Sequence, residues 1–104
     1  MDQPSWSDIW SRRRLDPARG STLEQLLAAD GFDTPTSVVT EDAWRTFVAD
    51  VAELLEIGPD TSVYEVGCGA GAFLYPLHEI GCRVGGVDSS PAQIAAARAV
   101  MPAG

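Results

Sequence analysis

The stretch Val63-Tyr64-Glu65-Val66-Gly67-Cys68-Gly69-Ala70-Gly71 decides how this chain is read. An apolar strand runs into three alternating glycines and then into a helical pattern. Seventeen residues after Gly71, a second apolar segment, Val84-Gly85-Gly86-Val87, ends on the carboxylate of Asp88. Strand, glycine loop, helix and strand make a βαβ unit, whose ligand crevice lies at the carboxyl ends of its parallel strands. Gly67 allows a sharp turn out of the strand, where a side chain resists positive φ. Gly69 leaves room for a ligand against the backbone, and Gly71 lets the next helix approach the strand closely. N–H groups at the start of that helix favour a carboxylate or phosphate. Asp88 faces them across the crevice, and an ionised carboxylate suits the paired hydroxyls of a ribose. The pattern therefore predicts a nucleoside-containing ligand without identifying it.

Working outward, Ser62–Val66 and Arg83–Val87 are the two strands, with a helix from about Gly71 to Ile80 between them. Pro76 within that helical pattern predicts a late start or a kink. Ser90-Pro91 opens a further helix that closes at Met101-Pro102. Upstream, Thr40 caps a helix from about Glu41 to Ile57, and Trp44, Phe47, Val48, Val51, Leu54 and Leu55 repeat on one face of it, predicting a stripe that covers the sheet. Ser21 and Glu24 have capping-box spacing for a helix that Gly31 stops. Phe32 to Val39 reads as a connector, and Trp6, Ile9 and Trp10 fall at the spacing of a short amphipathic helix. Two strands are too few for a stable parallel sheet, so the sheet is expected to be completed by further sequence or by another copy.

The 104 residues are 45% hydrophobic and 21% charged, with net charge −8, as expected of one soluble globular domain. The charge is uneven, because the first twenty residues carry four arginines and three aspartates while the acids dominate the rest. An acidic body argues against nucleic acid as a partner, and Arg12-Arg13-Arg14 reads as a solvated face. The chain has no lysine, which removes Schiff-base chemistry and the Walker lysine. One histidine and two cysteines do not make a typical zinc site, so no metal is expected. Cys68 and Cys82 belong to opposite ends of parallel strands, about 15–20 Å apart, too far for a disulfide. With no signal-peptide pattern and no apolar run of about 18 residues, a reduced cytoplasmic protein without membrane contact is expected.

Two cofactor classes compete for the glycine loop. Gly67-x-Gly69-x-x-Ala72 satisfies the dinucleotide fingerprint and would read as NAD(P)-binding in an oxidoreductase. Three details favour the other reading: Glu65 two residues before the first glycine, the third glycine at Gly71, and the long helical segment ahead of the first strand. Val63–Gly71 resembles motif I of the class I S-adenosylmethionine-dependent methyltransferases, with its E/D-x-G-x-G-x-G core. Gly86-Val87-Asp88-Ser89-Ser90, followed by Ile94 and Ala97-Arg98, is similar to that family's second-strand signature and following helix.

The resemblance covers roughly residues 40 to 104. It implies a Rossmann-like, doubly wound parallel α/β sheet of seven strands, of which this chain carries the first β-α-β-α portion after N-terminal helices. Residues 1–40 would form a helical cap, and residues 41–104 the N-terminal part of the cofactor domain. By the same resemblance, S-adenosylmethionine is the cofactor. Glu65 and the backbone of Gly67, Cys68, Gly69 and Gly71 would hold its methionine end, Asp88 its ribose hydroxyls, and Ser89 would lie near the adenine. The family's acceptor site comes from later strands, so no catalytic residue is assigned here. The resulting expectation is methyl transfer to a small-molecule acceptor, with an NAD(P)-binding oxidoreductase domain or a non-catalytic nucleoside-binding fragment as alternatives.

Overall fold

A computed structural model describes residues 15–34 and 37–101. The expected Trp6–Trp10 helix, the Arg12–Arg14 run and Pro102 lie outside the described residues. After a 3-10 turn at Pro17–Arg19 come helix α1 (Thr22–Ala29), strands β1 (Asp33–Thr34) and β2 (Ser37–Val38), and helix α2 (Glu41–Leu54). Strand β3 (Ser62–Val66), helix α3 (Leu74–Glu79), strand β4 (Arg83–Val87) and helix α4 (Pro91–Val100) follow. β3 and β4 pair in parallel, from Ser62 opposite Arg83 to Val66 opposite Val87. Among the described residues no helix is long and apolar enough to cross a membrane.

Local chemistry explains most of these boundaries. Ser21 Oγ accepts from Glu24 N–H at 3.1 Å while Glu24 Oε1 accepts from Ser21 N–H at 3.1 Å, a complete capping box. Thr40 caps α2 through Ala43 N–H at 3.1 Å, and Ser90 caps α4 with Pro91 at its first turn. Pro76 delays α3 to Leu74, three residues after the start that the glycine spacing suggests. α2 stops at Leu54, earlier than expected, because Ile57 N–H bonds Ala52 C=O and Glu56 N–H bonds Glu53 C=O in a Schellman turn. That turn puts Glu56 at φ 56°, a conformation usually left to glycine, which is why the sequence pointed instead to Gly58. The expected connector after Phe32 contains a short antiparallel pair, Asp33 opposite Val38 and Thr34 opposite Ser37.

Packing departs from expectation at α2. Val48 is buried, but Leu54 is 80% exposed and Phe47 49% exposed, so the stripe does not cover a sheet. Two strands present too narrow a face for a four-turn helix, and β3 itself leaves Tyr64 and Val66 exposed. The core forms instead in two clusters. One joins Val48, Leu74, Leu77, Val84 and Met101; the other joins Leu23, Leu26 and Leu27 of α1 to Ala70 and Ala72 of the glycine loop. α1 thus packs directly on the loop. Trp44 bridges the clusters, and its Nε1–H donates to Ala72 C=O at 2.8 Å. Trp44→Phe keeps an aromatic ring, although a smaller one, and leaves that carbonyl unpaired, so urea unfolding should show a loss of at least about 1–2 kcal/mol.

Candidate cofactor site

The loop leaves β3 at Gly67, with φ 74°, and is pinned to β4 where Gly67 N–H and Cys68 N–H both donate to Val87 C=O at 2.7 and 3.0 Å. This brings the end of β3 against the end of β4 and fixes Asp88 across from the bend. Asp88 Oδ2 accepts from Gly69 N–H at 2.9 Å, and Oδ1 from Ser90 N–H at 2.9 Å. A carboxylate has about four lone-pair positions, so each oxygen keeps one for a ligand hydroxyl.

Glu65, Gly67, Cys68, Gly69, Asp88 and Ser89 line one crevice of about 560 Å³, within the range of sites that take small organic ligands. Gly71 does not line it. A Cβ there would come within 2.5 Å of Met101 Cε, so this glycine serves the packing of α4's end against the loop rather than the approach of α3. Among the described residues nothing lies within 4 Å of a Cβ built at Gly67, so the open backbone expected at Gly69 lies at Gly67. Cys68 and Cys82 are both free and buried, and burial pushes the Cys68 thiol up, with the Glu65, Asp88 and Asp30 carboxylates adding to the rise. Its thiolate is disfavoured, as befits a small packing residue beneath the loop.

Sequence reading missed Asp30. This residue ends α1, and its carboxylate inserts into the glycine loop. Ala70 N–H donates to Oδ1 at 2.6 Å and Ala72 N–H to Oδ2 at 3.0 Å. Successive N–H groups of this kind form an anion-binding nest, and here the protein's own carboxylate fills it. The crowding at Gly69 has the same source, because a Cβ there would sit 2.5 Å from Asp30 Oδ1. The expectation that these N–H groups await a ligand anion is therefore corrected. A dinucleotide pyrophosphate would have to displace Asp30, and the loop's dinucleotide-like spacing loses its meaning.

Phe32, Trp44 and Phe47 form a second group that sequence reading placed elsewhere. The Trp44 ring lies 4.8 Å from Phe32 and 5.3 Å from Phe47, and all three line the crevice. Phe47 is a wall of this opening rather than core.

Electrostatics follow from three carboxylates in one partly enclosed space. Burial raises Asp30 to about 6, against the opposing pull of its backbone hydrogen bonds, with Asp88 adding to the rise. Burial raises Glu65 as well, with Asp30 contributing, and Glu65 Oε1 is a buried oxygen without a hydrogen-bond partner among the described residues. Because Asp30 holds its proton more tightly folded than unfolded, its contribution to stability is full below about pH 3.8 and is lost as pH rises through about 6. The span corresponds to about 3 kcal/mol. Asp30→Asn should therefore gain stability relative to wild type as pH rises from about 4 to about 7, read as a widening difference between paired urea titrations. Parallel curves for the two proteins would mean that Asp30 ionises without cost.

An α/β unit with parallel strands, a glycine-rich bend at their carboxyl ends and an acid just after the neighbouring strand is the layout of Rossmann-like α/β domains. The methyltransferase domain family matches residues 64–103. The chain is also 34% identical over 83 residues to the 23S rRNA (uracil(1939)-C(5))-methyltransferase RlmD of Bordetella avium (strain 197N), an alignment covering 75% of this chain and 17% of that protein. Residues 64–103 thus carry a methyltransferase-family segment, and the chain spans a small part of the length of the relative it matches. That relative is named for an RNA substrate, which overturns the expectation of a small-molecule acceptor and no nucleic acid. Net charge −8 is a property of these 104 residues alone and does not by itself exclude a nucleic-acid acceptor.

Proposed function

We propose that the crevice binds S-adenosylmethionine and that this chain supplies the cofactor-binding part of a seven-stranded methyltransferase domain, residues 41–104 together with α1. One observation carries the reading. Asp30, Glu65 and Asp88 converge on a single opening whose anion-accepting N–H groups are already filled. Such a site suits a cation and an amino group and opposes a phosphate. The cofactor's sulfonium supplies an activated methyl group with a neutral thioether as leaving group. Asp88 takes the ribose hydroxyls on its remaining lone pairs, and the unpartnered Oε1 of Glu65 accepts from the amino group of the methionine end. The open backbone at Gly67 lets that end lie close, Cys68 and Gly69 shape the floor, and Ser89 borders the adenine side. Phe32, Trp44 and Phe47 shield one wall from water. The protein's task is placement, which in well-oriented reactions is worth up to about 7–11 kcal/mol.

The name of the related protein makes RNA the acceptor class to examine first. Calorimetric titration with S-adenosylhomocysteine and with NADH tests the cofactor: heat with the former and none with the latter is expected, and the reverse would overturn the reading. Transfer of labelled methyl groups to a 23S rRNA transcript by the full-length protein tests the acceptor.

A further inference from the structure

Asp30 belongs neither to the glycine motif nor to the segment that the methyltransferase family matches. It sits at the C-terminal end of α1, where the helix dipole opposes a negative charge. Its neighbourhood is acidic as well, with Glu65 on β3 and Asp88 after β4 facing it and the Cys68 thiol nearby. A residue held against so many unfavourable terms is kept there by specific bonds. Ala70 and Ala72 N–H groups grip the carboxylate. From the other side, Gln93 Nε2–H donates to Ala29 C=O at 2.9 Å and ties the end of α1 to α4. Gln93 is 2% exposed, borders the same crevice, and its Oε1 is buried without a partner among the described residues. That orphaned acceptor points, independently of the acids, to a ligand that donates hydrogen bonds.

We propose that Asp30 is the charge-selectivity residue of this crevice: seated in the loop's N–H nest, it shifts binding towards a cationic sulfonium nucleoside and away from the uncharged thioether that remains after methyl transfer. The inference rests on the cofactor reading above. Two ligands of nearly identical shape differ in the site by one positive charge at sulfur. A fixed carboxylate facing that charge acts on the first and not on the second. Methyl loss thereby removes an attraction at the moment the product must leave. Gln93 is a positioning residue in this scheme, because it holds the backbone that presents Asp30.

The test compares affinities of S-adenosylmethionine and S-adenosylhomocysteine, measured by calorimetry on wild type and Asp30→Asn. The expected result is a drop of about tenfold in the ratio of the two affinities in the variant, with the homocysteine product bound about as before. Wild type alone gives a second readout, which stands if the variant does not fold. Its ratio should fall as pH is lowered from about 8 to about 5, as Asp30 takes up its proton. Asp30→Asn should show a shallower fall, the remainder coming from Glu65. A ratio indifferent to both the substitution and pH, with both ligands bound, overturns the role of Asp30 and leaves the cofactor standing. Absence of binding by either ligand to folded wild type overturns the cofactor reading and this inference together.

Discussion

Gly69→Val should abolish detectable binding of adenosylated ligands while α2 keeps its circular-dichroism signal. Gly69 has φ 58°, a region that costs an ordinary residue about 1–2 kcal/mol and a branched one more. A built Cβ lies 2.5 Å from Asp30 Oδ1, so even the first added carbon forces that carboxylate out of the loop. The Ala70 and Ala72 N–H groups then lose their charged partner, at about 1.5–3 kcal/mol each when nothing replaces it. Asp30 is too short to retreat without α1 shifting, since Gln93 holds Ala29 C=O. Together these costs exceed what a loop of this size absorbs, and the crevice loses its floor. Near-normal affinity in Gly69→Val would mean that the bend is not part of the ligand site.

Asp88→Ala should weaken S-adenosylhomocysteine binding by about 1.5–3 kcal/mol, the scale of hydrogen bonds to a charged group. The structure adds a consequence for stability. Asp88 ties Gly69 N–H to Ser90 N–H, joining the glycine bend to the start of α4, so the same substitution should lower urea stability by about 1–3 kcal/mol. Adding ligand at saturating concentration separates the two effects, because binding that survives restores the stability by mass action. Unchanged affinity in a destabilised protein would leave Asp88 a structural strut alone.

Short-range chemistry made much of this site readable. The capping residues Ser21, Thr40 and Ser90, the delay of α3 by Pro76 and the turn at Gly67 each depend on neighbours within a few residues. The side chains that meet across the fold were harder to read. Phe47 belongs by periodicity to a buried stripe, yet periodicity reports which face is apolar and not whether anything covers it. Glu56 takes a glycine conformation because two backbone hydrogen bonds of its turn hold it there. Asp30 left one faint signal, an acid placed just before the glycine that ends α1, against the dipole. A local choice that opposes its own element is where a functional or strained position is to be sought.

From the order of residues alone came the parallel βαβ unit, the glycine bend and the opposing Asp88, because strand alternation, turn stereochemistry and capping are set by covalent neighbours. Only the tertiary structure decided what occupies the bend. Asp30 is forty residues from Ala70, and a contact over that separation exists because α1 buries Leu23, Leu26 and Leu27 against the loop. Burial of that apolar face is non-directional. It brings the helix down, and the carboxylate at its end then finds the N–H groups that the glycines expose.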